Sequence, residues 1–205
     1  MTKTRIAIPF AAGAVVAVAA AAAVATGHGG TSRANPPPAA GVMRALHEAP
    51  SAATVVPPDA ASALAMVPGV ELAKARRLIS GIGSQGYAVN AAPTADGSVC
   101  IGTPAGGGCF PTFGEDGISF STGMNNDGRA SPTDRELIAG VASDEVTRID
   151  VAAGARRLKV PLRDGGFVYE SPEVGLWADA LLVSHADGSV TRVPVGNANR
   201  VEAIP

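Results

Sequence analysis

The sequence has few cysteines, few aromatic residues and no excess of basic residues. Its 205 residues include 2 Cys, and aromatic residues make up 4% of the chain. Two cysteines are too few for a disulfide-dense scaffold or for a four-cysteine zinc site. Lys and Arg number 16 against 18 acidic residues, so we predict no binding to nucleic acid. A hydrophobic fraction of 46% with a net charge of −2 nevertheless excludes an intrinsically disordered chain.

The N-terminus carries the one long apolar stretch of the sequence. Lys3 and Arg5 form a short basic region, and residues 6–25 contain no charged side chain. Residues 1–25 are therefore predicted to be a signal peptide or a single transmembrane anchor. The length of the stretch favours the anchor, whereas the small residues before Thr26 favour cleavage. Both interpretations predict export, with the rest of the chain either secreted or membrane-anchored and facing outside.

Composition divides the remaining chain into two parts. Residues 26–58 are rich in Pro, Gly and Ala, and we predict a linker with a short helix in the segment VMRALHE. Residues 27–41 should be extended and mobile, whereas the helical segments that follow should dock on the domain. Residues 59–205 are predicted to be an extracytoplasmic β-rich domain. A proline at residue 58 followed by aspartate predicts a short helix through residue 66. Apolar residues at helical spacing predict another helix over 70–80.

From residue 87 onward the hydrophobic period changes from helical to two. Several short segments alternate apolar and polar residues, and five Asp-Gly dipeptides, typical of tight hairpin turns, separate them. The clearest alternation places Leu158, Val160 and Leu162 opposite Arg157, Lys159 and Arg163. The pattern predicts a mainly β fold, an antiparallel β-sandwich or open barrel, with one or more short N-terminal helices.

The two cysteines flank a glycine-rich turn between two predicted strands. Cys100 ends one strand and Cys109 begins the next, so a hairpin brings them across from each other. In an exported protein this predicts a Cys100–Cys109 disulfide, with a metal pair or free thiols as the alternatives.

The single tryptophan, Trp177, precedes a predicted strand and is a candidate ligand platform, the alternative being an aromatic cap on the core.

No catalytic, metal or cofactor motif stands out. Residues 81–86 match G-x-G-x-x-G, but here a helix is predicted before the glycines and a strand after them, the reverse of the dinucleotide motif. His185 ends a predicted strand without a G-x-S-x-G nucleophile elbow elsewhere. We therefore predict no enzyme activity and no cofactor, and interpret five acids as surface residues: Asp144, Glu145, Asp150, Glu170 and Glu173.

Several segments, taken in order, resemble a set of uncharacterised actinobacterial exported or membrane-anchored β-rich proteins. The resemblance covers roughly residues 42–195 and is carried by ARRLI, GYAVNAAPTADGSVC, GGGCF, GVASDEVTRIDV, LKVPLRDGGFVYE and ALLVSHADGSVTRVPV. The sequence departs from the family pattern at residues 142–145, where Pro-Asp-Gly is typical. The resemblance implies a hydrophobic N-terminus, a cysteine pair around a glycine run and a β-rich architecture, and it implies no activity.

The preferred functional hypothesis is an envelope-associated binding or scaffold module. Its partner is an unknown protein or envelope component, and residues 1–25 would contact the membrane if they are not cleaved. A sensory ectodomain of a membrane system is one alternative, although few residues remain for a cytoplasmic domain. An extracytoplasmic enzyme is another, and it requires His185 or paired acids to converge in a pocket.

Overall fold

The computed structural model describes residues 36–49, 51–125 and 134–196. The predictions made for residues 1–35 concern a segment outside the described residues. Within the described part, twelve strands form three antiparallel sheets of four strands each, so the fold is mainly β and sandwich-like. The same part contains one α-helix, α1 (Pro58–Ala65), which begins at the predicted proline, and 3-10 turns at Ala39–Val42, Arg44–Leu46 and Leu72–Lys74.

Each sheet has a simple strand order. The first sheet runs β1-β2-β3-β4, with strands Arg76–Ile82, Tyr87–Pro93, Val99–Thr103 and Gly106–Phe110. The second runs β5-β6-β10-β9, with strands Ile118–Met124, Glu136–Ala142, Gly166–Glu170 and Leu162–Arg163. The third runs β12-β11-β7-β8, with strands Val190–Pro194, Ala180–His185, Val146–Ala153 and Arg156–Val160.

The second sheet lies between the other two, because it contributes to both main hydrophobic clusters. Leu137 of β6 and Val168 of β10 pack with the first sheet, whereas Ile138 and Phe167 pack with the third. All seven residues of β6 are consequently buried. A strand that is buried on both faces does not alternate apolar and polar residues, so the period-two pattern in the sequence does not predict β6.

The helix predicted over residues 70–80 is wrong. Only Leu72–Lys74 form a helical turn, and the chain then enters β1. β1 instead pairs with β2, and Leu78 and Ile79 are both buried in the first cluster, which removes their apolar surface from water. Tertiary packing thus overrides the local spacing.

The described residues of the predicted linker are partly core. Ala39 is buried in the first cluster, so the prediction of an extended, mobile chain over residues 27–41 is wrong at this point. Met43 and Leu46 are buried in the same cluster, as predicted for a segment that docks on the domain. The Ala39 amide donates to the carbonyl of Pro111 at 2.8 Å, and the Arg44 amide donates to the Asp144 carboxylate at 2.7 Å. The apolar side chains of this stretch dock on the β domain, as expected for segments that cannot bury a core alone.

The outer faces of the stack differ. The outer face of the first sheet is covered by α1 and its flanks, because Leu64 packs with Ala92, Cys100 and the partly buried Val67. On the outer face of the third sheet Arg157, Lys159 and Arg192 are exposed, and no helix or strand of the described part packs extensively against it. Within the same residues, no helix combines the length and the apolarity needed to cross a membrane.

Candidate functional site

The predicted disulfide is present. Cys100 and Cys109 are direct cross-strand partners in β3 and β4, with a Cα–Cα distance of 4.0 Å and an S–S distance of 2.05 Å. Cys100 is buried under α1, whereas Cys109 is exposed on the last strand of the first sheet. The bridge indicates an oxidising environment outside the cytoplasm.

Trp177 lies in the loop between β10 and β11 and is partly buried. Its neighbour Leu176 packs against the second main cluster, and the amide of buried Ala178 donates to Glu136 Oε2 at 2.6 Å. These contacts on both sides fix the loop. A ligand-binding role for Trp177 itself stays a prediction.

The third sheet presents an unexpected group of cations on its uncovered face. Strand register places Arg192, Leu182, Asp150 and Lys159 in one row across the four strands. Because side chains alternate along a strand, Arg148 and Arg157 share this face with Asp150. We name this surface, formed by Arg148, Arg157, Lys159 and Arg192 around Asp150, the outer cationic face.

Asp150 organises the two arginines beside it. Its carboxylate is fully buried; Arg148 Nη2 donates to Oδ1 at 2.8 Å, and Arg148 Nε lies 2.8 Å from Oδ2 in the same ion pair. Arg157 donates from Nε at 2.9 Å and Nη2 at 2.7 Å. Burial alone would raise the pKa of Asp150, but the hydrogen bonds from the two guanidinium groups outweigh it and lower the pKa. The interpretation of Asp150 as a surface acid is therefore wrong.

The glycine loop that resembles a dinucleotide motif binds a carboxylate of the protein itself. It connects β1 to β2, and Glu170 of β10 accepts hydrogen bonds from the Ser84 amide at 2.6 Å and the Ser84 hydroxyl at 2.7 Å. Asn125 Nδ2 donates to the same carboxylate at 2.6 Å. Gly83 has φ +73°, and a Cβ there would lie 2.6 Å from Glu170 Oε2.

This arrangement explains the glycine and ties distant segments together. Burial raises the pKa of Glu170, but the hydrogen bonds from Ser84 and Asn125 outweigh it, and the pKa is lowered overall. Glu170 is thus a structural acid that joins the first sheet, the end of β5 and β10. The interpretation of Glu170 as a plain surface acid is corrected on this basis.

His185 lines a shallow cleft with Glu145 and Asp187 at one end of the third sheet. Its Nε2 lies 3.2 Å from Thr191 Oγ1, while the nearby Ser189 hydroxyl donates to Asp187 at 2.7 Å. These side chains do not form a Ser-His-acid relay in the part of the chain that the structure describes. Of the other predicted surface acids, Glu173 is exposed and pairs with Arg156 at 2.8 Å.

The outer cationic face was missed at the sequence level, although a signal exists. Arg157 and Lys159 were identified as the polar face of a strand, but β7 was not recognised as its neighbour. Charged residues at positions i and i+2 in both segments, RID and RLK, would have indicated one shared face.

Comparison with known proteins does not assign the chain to a family: no family model, no curated protein and no solved structure matches this chain significantly.

Proposed function

We propose that this chain is an extracytoplasmic binding module, secreted or membrane-anchored at the cell envelope, that binds an extended segment of a partner protein along β4. One observation carries the proposal: in the described part of the chain β4 is an edge strand, three of its five residues are glycine, and a disulfide holds it. We name the outer edge of Gly106–Cys109 the glycine edge. Extended peptides bind to such edges by adding a strand through main-chain hydrogen bonds.

The backbone groups of the glycine edge point outward at alternate residues. Directly opposed residues in an antiparallel pair are closer when they do not exchange hydrogen bonds, about 4.5 Å between Cα atoms against about 5.5 Å. The Cα–Cα distance of 4.0 Å between Cys100 and Cys109 therefore indicates a pair that does not exchange backbone hydrogen bonds. The N–H and C=O of Cys109, and by alternation those of Gly107, are directed away from β3 and are available to another strand.

In the part of the chain that the structure describes, no strand pairs with the glycine edge, and β5 is the neighbouring strand that packs against β4. Natural sheets block edges with lysine, proline, bulges or a covering element. Residues 106–109 contain three glycines and a cysteine, and all four are exposed. The disulfide fixes the strand to β3, so the edge keeps its position although glycine favours disorder.

The two central glycines have different reasons to be glycine. A Cβ at Gly107 would lie 2.6 Å from the carbonyl oxygen of Ile101, so the fold requires glycine there. A Cβ at Gly108 would meet nothing within 4 Å. That open space can receive a side chain of an added strand. On the opposite face, Leu64 and Val67 of the α1 region line an apolar groove beside the disulfide, which suits the alternate side chain.

A peptide selection tests the proposal. The oxidised full chain is screened against a displayed library of random peptides, and we expect enriched sequences with alternating apolar residues. Bound peptide should slow hydrogen exchange at the amides of Gly107 and Cys109. Gly108→Leu, which the fold accommodates, should weaken peptide binding at least roughly tenfold by occupying the open space. Gly41→Leu is the matched control, because that glycine is also exposed and has open space around it.

Two results would contradict strand addition at β4. One is the absence of any enriched peptide on a chain that melts cooperatively. The other is enriched peptides whose binding protects a different strand and is equally insensitive to both leucine substitutions. Concentration-dependent dimerisation with the same protected amides would identify a second copy of the chain as the occupant instead.

A further inference from the structure

We infer that the outer cationic face binds the surface of an anionic lipid bilayer. This surface lies on the third sheet and does not include the glycine edge of the first sheet. Register positions on it carry four cations, whereas its one acid, Asp150, is already paired with two arginines. The chain as a whole has a net charge of −2, so the attraction arises from the arrangement of charges and acts in one orientation.

Asp150 makes the arginines a fixed pair rather than two mobile side chains. Both guanidinium groups hydrogen-bond to its buried carboxylate, yet the Arg148 and Arg157 side chains remain 51% and 52% exposed. A guanidinium has five N–H donors, more than Asp150 uses from each arginine. The remaining donors can hydrogen-bond lipid phosphates, with less side-chain entropy to lose on binding.

The two outer cations extend the charged surface across the sheet. Arg192 and Lys159 lie on β12 and β8, the two edge strands, and both are exposed. Neighbouring strands are about 4.8 Å apart, so the four-strand row from Arg192 to Lys159 spans roughly 14 Å. A broad sheet face with distributed cations is complementary to a planar array of phosphates.

Apolar side chains among the cations favour a bilayer over a soluble polyanion. Val190 is 57% exposed on β12, and the half-buried Leu182 lies directly between Arg192 and Asp150. Surfaces that combine cations with exposed aliphatic side chains bind at the boundary between headgroups and acyl chains. If residues 1–25 are retained as an anchor, they would also raise the local concentration of lipid at this face.

A site-specific fluorescent label separates this contact from any insertion of the N-terminus. No cysteine is free in the described part of the chain, and both cysteines of the sequence form the disulfide, so one added cysteine is the unique thiol. An environment-sensitive fluorophore on Val190→Cys should shift to the blue with vesicles of equal parts phosphatidylcholine and phosphatidylglycerol. Vesicles of phosphatidylcholine alone should give no shift. The same label on Met66→Cys, which is 81% exposed near the end of α1, should respond to neither.

Charge variants then assign the response to the face. Lys159→Gln combined with Arg192→Gln should weaken binding to the anionic vesicles roughly tenfold or more, and added salt should act in the same direction. Arg163→Gln, an exposed cation on β9 of the second sheet, should have little effect. Far-ultraviolet circular dichroism of each variant verifies the fold.

Three outcomes would overturn the proposal. The first is an equal blue shift at both label positions, which would indicate contact unrelated to the face. The second is an equal response to both vesicle types. The third is a response to soluble polyphosphate but none to anionic vesicles, which would identify a phosphate polymer rather than a bilayer as the partner.

Discussion

Val160→Asp tests the face assignment that fixes the third sheet. Val160 is 1% exposed and pairs with Ile149 inside the second main cluster. The substitution removes a buried side chain, worth about 2 kcal/mol, and buries an unpaired carboxylate at a further cost of several kcal/mol. The sum, about 5 kcal/mol or more, approaches the total stability of a typical domain.

Lys159→Asp is the matched control, because Lys159 is the adjacent residue on the opposite face. Its new carboxylate would lie opposite Asp150, and a like-charged cross-strand pair costs about 0.2–1 kcal/mol. We therefore expect Val160→Asp to unfold the chain or to lower its melting temperature by more than about 10 °C, and Lys159→Asp to lower it by only a few degrees. Thermal melts followed by circular dichroism measure both. Equal destabilisation would refute the assignment of β8 and, with it, the position of the outer cationic face.

Other variants and conditions test separate parts of the structure. Cys100→Ser should lower the free energy of unfolding by about 2 kcal/mol in urea titrations, because the bridge closes a short loop; an unchanged midpoint would contradict this. Since the pKa of Glu170 is lowered, its contribution to stability is complete above the unfolded pKa and is lost as pH falls through the folded pKa. Glu170→Gln should flatten the acid limb of a stability-against-pH profile, and a profile identical to the parent's would exclude this role. Gly107→Ala should lower the melting temperature, whereas Gly108→Ala should leave it at the parent value. A larger decrease for Gly108→Ala than for Gly107→Ala would refute the local geometry. A C-terminal tag should be digested by protease added outside intact cells, and protection until lysis would disprove export.

The β architecture was predictable wherever one face of a strand is polar. The alternation around Val160 and the turn at Asp164-Gly165 were both recognisable, and in the structure this turn has positive φ at both residues. The hairpin of Cys100 and Cys109 followed from spacing alone. These features depend on residues close in sequence, and local pattern is enough to determine them.

The remaining features depend on contacts between distant residues. β6 is buried on both faces only because two other sheets cover it, and no property of its own sequence shows how many sheets there are. Ser84 and Glu170 are 86 residues apart, so the partner of the glycine loop could not be inferred. The burial of Asp150 depends in part on Arg157, which the pairing of β7 with β8 brings to it, whereas Arg148 lies two residues away on the same strand and face.

The route of the chain between the second and third sheets determines how the protein must fold. β6 pairs with β10, and the chain between them contains β7 and β8 of the third sheet. β7 pairs with β11, and the chain between them contains β9 and β10 of the second sheet. The second sheet cannot acquire its central pair before the chain has been synthesised through β10, and the third cannot before β11, so a fragment that ends between them lacks the middle of the third sheet. The C-terminal half is therefore a single interleaved folding unit, expected to unfold in one cooperative step and to fold slowly because its contacts are distant in sequence.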